Sequence, residues 1–189
     1  EEYTSVAIEA PDYSQVIQIY DYPAEGPEDL NTANIIEKRN SFTKTYVQGP
    51  RDNSYMTISK LFRPIAFDMQ INNVKVVELR GLWDLENGYM GGPFISHSMY
   101  DAERNRIVTV DGYVYHPNQK KRVKLKQLEA IIFSMELIWE FFHKKTCPGA
   151  YVPGLFISQK FHRFPDLFDI EEVGLFELKQ GGIIFVKLL

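Results

Sequence analysis

The sequence predicts an α+β fold in which an antiparallel sheet of four to five strands carries two amphipathic helices on one face. Strand-like segments follow one another between residues 55 and 115 with short connections. Such connections require antiparallel pairing, because a parallel return needs a long crossover. Two longer segments, Asp29–Tyr46 and Gln119–Phe142, place apolar residues at helical spacing. The apolar fraction of 44% is enough for a core without a disulfide or a metal.

The first third of the chain predicts two strands and a helix. The strands are Tyr3–Ile8 and Gln15–Asp21, and Pro23 ends the second because proline cannot donate to a β-ladder. The helix over Asp29–Tyr46 begins with acidic residues, which suit the positive end of a helix dipole, and Gly49 and Pro50 lie beyond its end. Four apolar residues share one face of this helix: Leu30, Ala33, Ile36 and Phe42.

A run of strands fills the middle of the chain. In the segment Ile65–Ile71 apolar and polar residues alternate, so its apolar residues share one face. Asn72 and Asn73 tolerate a positive φ and predict a tight hairpin after it. The predicted strands of this run are Tyr55–Phe62, Ile65–Ile71, Val74–Trp83, Phe94–Tyr100 and Arg106–Tyr115.

The second helix, Gln119–Phe142, has the clearest pattern in the chain. Burial of its apolar stripe would contribute on the order of 10 kcal/mol before conformational entropy is counted, so we expect it to close the core over the sheet. Regular patterning ends after residue 145. We therefore divide the chain into an α+β domain at residues 1–145 and an atypical C-terminal extension at 146–189, which adds one or two strands. The stripe consists of Leu125, Leu128, Ile132, Met135, Trp139 and Phe142.

Composition excludes several classes of function. The net charge of −4 argues against a general nucleic-acid binder, whose domains are usually basic. Cys147 is the single cysteine, so neither an intrachain disulfide nor a thiolate metal cluster can form. Histidine spacing typical of zinc sites is absent, and the sequence predicts no metal and no cofactor. No segment reaches the ~18 apolar residues that a membrane-spanning helix needs.

Acidic residues and one histidine on neighbouring strands are the candidates for catalysis. Glu78 and Arg80 share one face of their strand, and a cross-strand pair of Glu78 with His97 would suit acid–base chemistry. A hydrolase would add Asp101 or Asp111 to this pair. The alternative is structural, with Arg80 in an ion pair and His97 hydrogen-bonded, because such networks use the same residue types.

Two further groups are candidates for ligand binding. Lys120, Lys121 and Arg122 crowd the start of the second helix, where the helix dipole disfavours cations. Anionic lipid headgroups, a polyanionic glycan or an acidic partner would compensate them, and a solvated basic face is the alternative. Four aromatic residues are candidates to line a groove for a sugar or a peptide, although strand aromatics more often pack in cores: Trp83, Tyr89, Tyr113 and Tyr115. Arg80 is a further candidate for ligand binding.

Several motifs resemble a known protein family. They are Arg80-Gly81-Leu82-Trp83, Met90-Gly91-Gly92-Pro93-Phe94-Ile95-Ser96-His97, Asp111-Gly112-Tyr113-Val114-Tyr115, Lys120-Lys121-Arg122 and Gln127-Leu128-Glu129-Ala130. Between Ser14 and Leu137 the chain resembles the uncharacterised bacterial lipoproteins called domain of unknown function 4837. The resemblance implies a C-terminal half of a longer envelope protein, whose lipid-anchored N-terminal half is missing from this chain. It implies no reaction, and residues 146–189 depart from the family pattern.

The sequence therefore predicts a non-enzymatic binding or structural domain of a cell-envelope lipoprotein. Its partner would be an unknown ligand or an envelope protein, with membrane association through the missing lipid anchor and no contact with nucleic acid. Two alternatives stay open. One is a hydrolase that uses the carboxylate–histidine cluster, and the other is an anionic-surface or polyanion binder that uses the basic start of the last helix.

Overall fold

The structure of the chain, a computed structural model, describes residues 3–71, 73–115, 120–143 and 185–187, the last segment and residues 134–143 by their backbone. One helix lies on either face of a curled antiparallel sheet. The strands are β1 (Thr4–Glu9), β2 (Gln15–Pro23), β3 (Tyr55–Ile58), β4 (Ile65–Ile71), β5 (Val74–Glu86), β6 (Gly91–Asp101), β7 (Arg106–Val114) and β8 (Phe185–Lys187), and the helices are α1 (Thr32–Tyr46) and α2 (Lys121–His143).

The sheet is larger than the predicted four to five strands. In the described part of the chain seven antiparallel strands form its body, and the short β8 pairs in parallel with β1. The order across the sheet is β3-β5-β6-β7-β2-β1-β8, with β4 paired to β5. The two N-terminal strands were predicted as strands but not as part of this sheet. They join it because the whole of β2 pairs with β7.

Two strands share one edge of β5. β3 pairs with Trp83–Glu86 of β5, whereas β4 pairs with its first half, Val74–Arg80. Both run antiparallel to β5, so they follow the same direction along the edge. Residues 59–64 lie between them, where the Ser59 N–H donates to the Leu82 carbonyl. The predicted hairpin between β4 and β5 is confirmed, since Ile71 pairs with Val74 and Asn73 has a φ of 69°.

The helices lie on opposite faces of the sheet, and the prediction of one shared face is wrong. Ile35 and Phe42 of α1 belong to a core cluster with Phe94, whereas Leu128 and Ile132 of α2 pack with the neighbouring residue, Ile95. Consecutive side chains of a strand point to opposite faces. An amphipathic pattern shows that a helix covers a face of the sheet, but it does not show which one.

The predicted stripe of α2 is confirmed over its first half. Leu128 and Ile132 are 2% and 0% exposed, and Leu125 packs beside them. The helix crosses β7 at Gly112, where an added Cβ would lie 2.9 Å from Ile132 Cδ1. Three members of the stripe, Met135, Trp139 and Phe142, lie outside the described side chains.

The face of α1 differs from the predicted one. The helix begins at Thr32 rather than at residue 29, because the preceding Pro27–Asp29 forms a separate turn and the Asn31 side chain caps the helix by accepting from the Asn34 N–H. Its buried residues are Ile35, Arg39, Phe42 and Thr43, and the predicted Ala33 is exposed.

Part of the predicted extension falls within the described chain. β8 belongs to residues 146–189 and lies beside β1, with Ala7 opposite Phe185. The rest of the extension, including Cys147, lies outside the described residues, so the domain division stays a prediction.

Candidate functional site

Two buried polar clusters lie back to back across the sheet. On the α2 face, register places Glu78 of β5 opposite His97 of β6. On the α1 face, it places Ser96 of β6 opposite Asp111 of β7. We name the first the histidine cluster (Glu78, Arg80, His97 and Glu129) and the second the arginine cluster (Arg39, Ser96 and Asp111).

Glu78 is the centre of the histidine cluster. Its Oε2 lies 2.7 Å from His97 Nε2, so the predicted cross-strand pair forms. Its Oε1 accepts from Arg80 Nε at 2.5 Å, and Arg80 Nη2 donates to Oε2 at 3.1 Å. Arg80 also donates to Glu129 of α2. One carboxylate therefore accepts from both an arginine and a histidine.

The histidine cluster is closed to solvent at its centre. Glu78 and His97 are 3% and 0% exposed, and the ring of Phe133 meets the His97 ring edge-on at 5.0 Å. Burial would raise the pKa of Glu78, but hydrogen bonds from Arg80 and His97 outweigh it and hold that pKa below its ordinary value. Glu78 is thus a stable carboxylate that ties α2 to the sheet through Arg80 and Glu129.

The arginine cluster joins α1 to the opposite face. Arg39 Nη2 lies 3.0 Å from Asp111 Oδ2, and neither side chain is more than 1% exposed. The guanidinium also lies 3.9 Å from the centre of the Phe94 ring, a cation–π contact. Burial raises the pKa of Asp111, and the charge of Arg39 opposes that shift.

Several polar atoms of the arginine cluster have no hydrogen-bond partner in the part of the chain that the structure describes. They are Arg39 Nε and Nη1, Ser96 Oγ and both carboxylate oxygens of Asp111, whose contact with Arg39 is close but not aligned as a hydrogen bond. The two buried charges therefore depend on each other, because hydrogen bonds do not replace the hydration that either has lost.

The two remaining acidic candidates lie away from His97. Asp101 sits at the end of β6, where it accepts from the Glu103 N–H at 3.0 Å and from Arg104 Nε at 2.5 Å and so shapes the turn into β7. Asp111 points to the other face, because it pairs with Ser96 rather than with His97. The structure brings together Glu78, Arg80 and His97 and separates Asp101 and Asp111 from them.

Trp83 and Tyr113 belong to the core. They are 2% and 9% exposed, and their rings meet edge-on at 6.2 Å on the α1 face. Of the other two aromatic candidates, Tyr89 is 91% exposed and Tyr115 is half-buried. Arg80 lies on the opposite face with Glu78. Trp83 and Tyr113 therefore match the alternative interpretation, in which aromatic residues of strands pack in the core.

The basic start of α2 lies at the surface. Lys120 and Arg122 are exposed and Lys121 is half-buried, while Lys124 pairs with Asp12 at 2.8 Å. Two large apolar residues are exposed at the same end: Tyr13 at 71%, in the turn beside Asp12, and Val123 at 61%.

The most exposed apolar surface of the sheet is the edge formed by β4 and the preceding loop, which we name the β4 edge. Ile65 and Phe67 of β4 are 61% and 47% exposed, and Leu61 and Phe62 of the loop are 83% and 59% exposed. Among the described residues β4 pairs with β5 and with no other strand. The sequence predicted that the apolar residues of β4 share a face, but it did not predict that this face is open.

No metal centre is found within the described ranges, since no group of three histidine, cysteine or acidic residues there could hold an ion. Within the same ranges no helix is long and apolar enough to cross a membrane.

Comparison with known proteins identifies a family but no function. The family model described as "Domain of unknown function (DUF4837)" matches residues 5–134, about two-thirds of the chain. It spans β1 to the middle of α2 and so includes both polar clusters and the β4 edge. A search of the curated proteins finds no match.

Proposed function

The chain belongs to the family of unknown function DUF4837, and on that basis we propose that it is a non-enzymatic binding domain of the cell envelope. Its binding surface is the β4 edge, and its ligand is an extended segment of an envelope protein with alternating apolar residues. The envelope location rests on the resemblance to bacterial lipoproteins.

The closed histidine cluster supports a non-enzymatic role. A general base must come within hydrogen-bond reach of a substrate proton. His97 is 0% exposed, its Nε2 faces Glu78, and Phe133 lies across its ring. Glu78 already accepts from Arg80 and His97. The cluster stabilises the docking of α2 and offers no reactive group to solvent.

The main support for the proposal is that β4 has backbone N–H and C=O groups that do not pair with β5. Because Ile71 and Val74 close a two-residue connection, they form a hydrogen-bonded pair of the ladder, and such pairs alternate along β4. The backbone N–H and C=O groups of Ala66, Asp68 and Gln70 therefore point away from β5. An added strand would pair with these groups, and exposed apolar side chains beside them would give specificity.

Asp68→Pro tests this surface. We expect it to reduce binding of a fluorescein-labelled heptapeptide that alternates isoleucine with lysine by at least about tenfold in fluorescence-anisotropy titrations, since the substitution removes an outward N–H. The β4–β5 hairpin keeps its hydrogen bonds, so the melting temperature should change little. Asp52→Pro, in the exposed turn before β3, is the matched control and should bind as the wild type does. Equal binding by Asp68→Pro would remove the β4 edge from the proposal.

A hydrolytic role makes a different prediction. If the histidine cluster were catalytic, turnover of ester or glycoside substrates would disappear in His97→Ala while peptide binding at β4 remained. That result would contradict the non-enzymatic role and support the hydrolase alternative, with binding at β4 as a separate property.

A second candidate function is contact with an anionic membrane surface through the start of α2. The exposed Tyr13 and Val123 lie at the same end as Lys120, Lys121 and Arg122, and this mixture suits the polar–apolar boundary of a bilayer. We expect sedimentation with vesicles that contain about 30% phosphatidylserine, weakening steeply between about 0.05 and 0.5 M salt. Replacing the three cations with glutamine should abolish it. Salt-independent or absent sedimentation contradicts this candidate.

A further inference from the structure

We propose that the segment bound at the β4 edge is β4 of a second copy of this chain, related by a two-fold axis that is perpendicular to the sheet and lies midway between the two copies of Phe67. This inference rests on the proposed binding function and names its partner. Two β4 strands would pair antiparallel and join both sheets into one.

The symmetry restricts the register of such a pair. A two-fold axis perpendicular to the sheet keeps each face on its own side, so it pairs residues of the same face only. One residue of β4 must therefore lie opposite its own copy across the axis, and the register is named by that residue. With the axis at Phe67, that residue faces its own copy, Ile65 faces Met69, and Ala66 faces Asp68.

Hydrogen bonding suits this register. Ala66 and Asp68 both point their N–H and C=O groups outward, so they would exchange two hydrogen bonds on each side of the axis. Phe67 would then lie in a non-hydrogen-bonded pair, where side chains approach most closely. Gln70 would donate to the carbonyl of Pro64, which needs no N–H for that contact.

The neighbouring registers are less favourable. An axis at Asp68 sets that carboxylate opposite its own copy, and like charges directly opposite are destabilising. An axis at Ala66 sets Asp68 opposite Pro64, which cannot donate, and so forms four backbone hydrogen bonds where the axis at Phe67 forms six. An axis at Met69 sets the 61%-exposed Ile65 opposite Asn73 and leaves its apolar surface uncovered. Only the axis at Phe67 combines apolar partners for Ile65 and Phe67 with six backbone hydrogen bonds and no like charges at its centre.

The expected complex is weak. Pairing of one seven-residue strand with a few apolar contacts buries less surface than a standard interface, and we expect a dissociation constant of about 1–100 μM. The dimer would therefore exchange with other extended segments that compete for the same edge.

Substitutions of opposite charge at residue 67 test whether the two copies of this residue face each other across the axis. Sedimentation velocity of the full chain from about 1 to 500 μM is expected to show a monomer–dimer equilibrium. Phe67→Glu and Phe67→Lys should each be monomeric, because each sets a charge opposite itself. Their equimolar mixture should form a heterodimer, since the two opposite charges meet at the axis. The same exchange at Ala33, which is exposed on α1, is the control and should leave the wild-type equilibrium unchanged.

Three results would overturn the inference: a monomer throughout the range, a dimer that survives both substitutions at residue 67, or failure of the mixture to associate. Circular dichroism and melting temperatures of the variants exclude misfolding as the cause. Peptide binding that is lost in Asp68→Pro, in a chain that stays monomeric, would overturn the second-copy partner and leave the proposed function standing. Loss of both peptide binding and self-association would overturn the proposed function as well.

Discussion

Replacing Arg39 with methionine is expected to destabilise the fold by about 3–5 kcal/mol near neutral pH. The substitution leaves the carboxylate of Asp111, which is 1% exposed, without its counter-charge in the core. It also removes the cation–π contact with Phe94. Urea denaturation followed by tryptophan fluorescence measures the change, with Trp83 as a core probe.

The double variant Arg39→Met/Asp111→Leu shows how much of the lost stability comes from the unpaired charge of Asp111 and how much from changed packing. Replacing both members of a buried ion pair with apolar residues is often neutral or stabilising, so we expect most of the lost stability to return. The deficit of the single variant should also shrink as the pH falls. Burial raises the pKa of Asp111 in the folded state, so protonation favours folding. A double variant no more stable than Arg39→Met would contradict the ion-pair account.

Glu78→Gln is expected to cost about 2–3 kcal/mol, because it removes the charge that both Arg80 and His97 contact. Glu129→Gln is the matched control. Glu129 is 28% exposed and contacts Arg80 from the solvent side, so its loss should cost less than about 1 kcal/mol. Chemical denaturation of both variants gives the comparison, and equal effects would show that Glu78 is not the centre of the cluster.

The pH dependence of the Glu78 contribution follows from its lowered pKa. A carboxyl whose folded pKa lies below its unfolded value stabilises the fold above that unfolded value, which is near 4.5. The contribution is lost as the pH falls through the lower folded pKa. The stability difference between wild type and Glu78→Gln should therefore be constant above about pH 5 and shrink below pH 4.5. A difference that grows on acidification would contradict the assigned direction.

Local patterns predicted the strands and three of the four members of the histidine cluster, Glu78, Arg80 and His97. The alternation in Ile65–Ile71 and the asparagines after it determine a hairpin, and both are local features of the sequence. The pairing of Glu78 with His97 could be predicted because the two residues lie on consecutive antiparallel strands. Such neighbours have few possible registers.

Long-range features were not predictable from these patterns. Periodicity does not show which face of a sheet a helix covers, so α2 was placed on the same side as α1. The pairing of β2 with β7 joins segments far apart in sequence, and no local signal specifies it. Asp111 was grouped with His97 because the sequence alone does not show the register between β6 and β7. A shift of one residue in that register moves a side chain to the other face.

Arg39 was missed as a core residue because arginine is almost never fully buried unless it is paired. The available signal was its spacing, since Arg39 lies four residues after Ile35 and three before Phe42 and so shares their face. Asp111 gave a matching signal, because it alternates with the buried Thr109 and Tyr113 along β7. Charged residues at two core positions on different elements predict a buried pair.

Both polar clusters stabilise the packing of the helices on the sheet, and the proposed binding surface is the β4 edge. The most direct test is a side-by-side titration of the heptapeptide into the wild type and Asp68→Pro, each with a matched melting curve. Saturable binding by the wild type alone, with equal melting temperatures, is the predicted result. Identical isotherms for the two proteins, or no binding to the wild type, would contradict the assignment of the β4 edge as the binding surface.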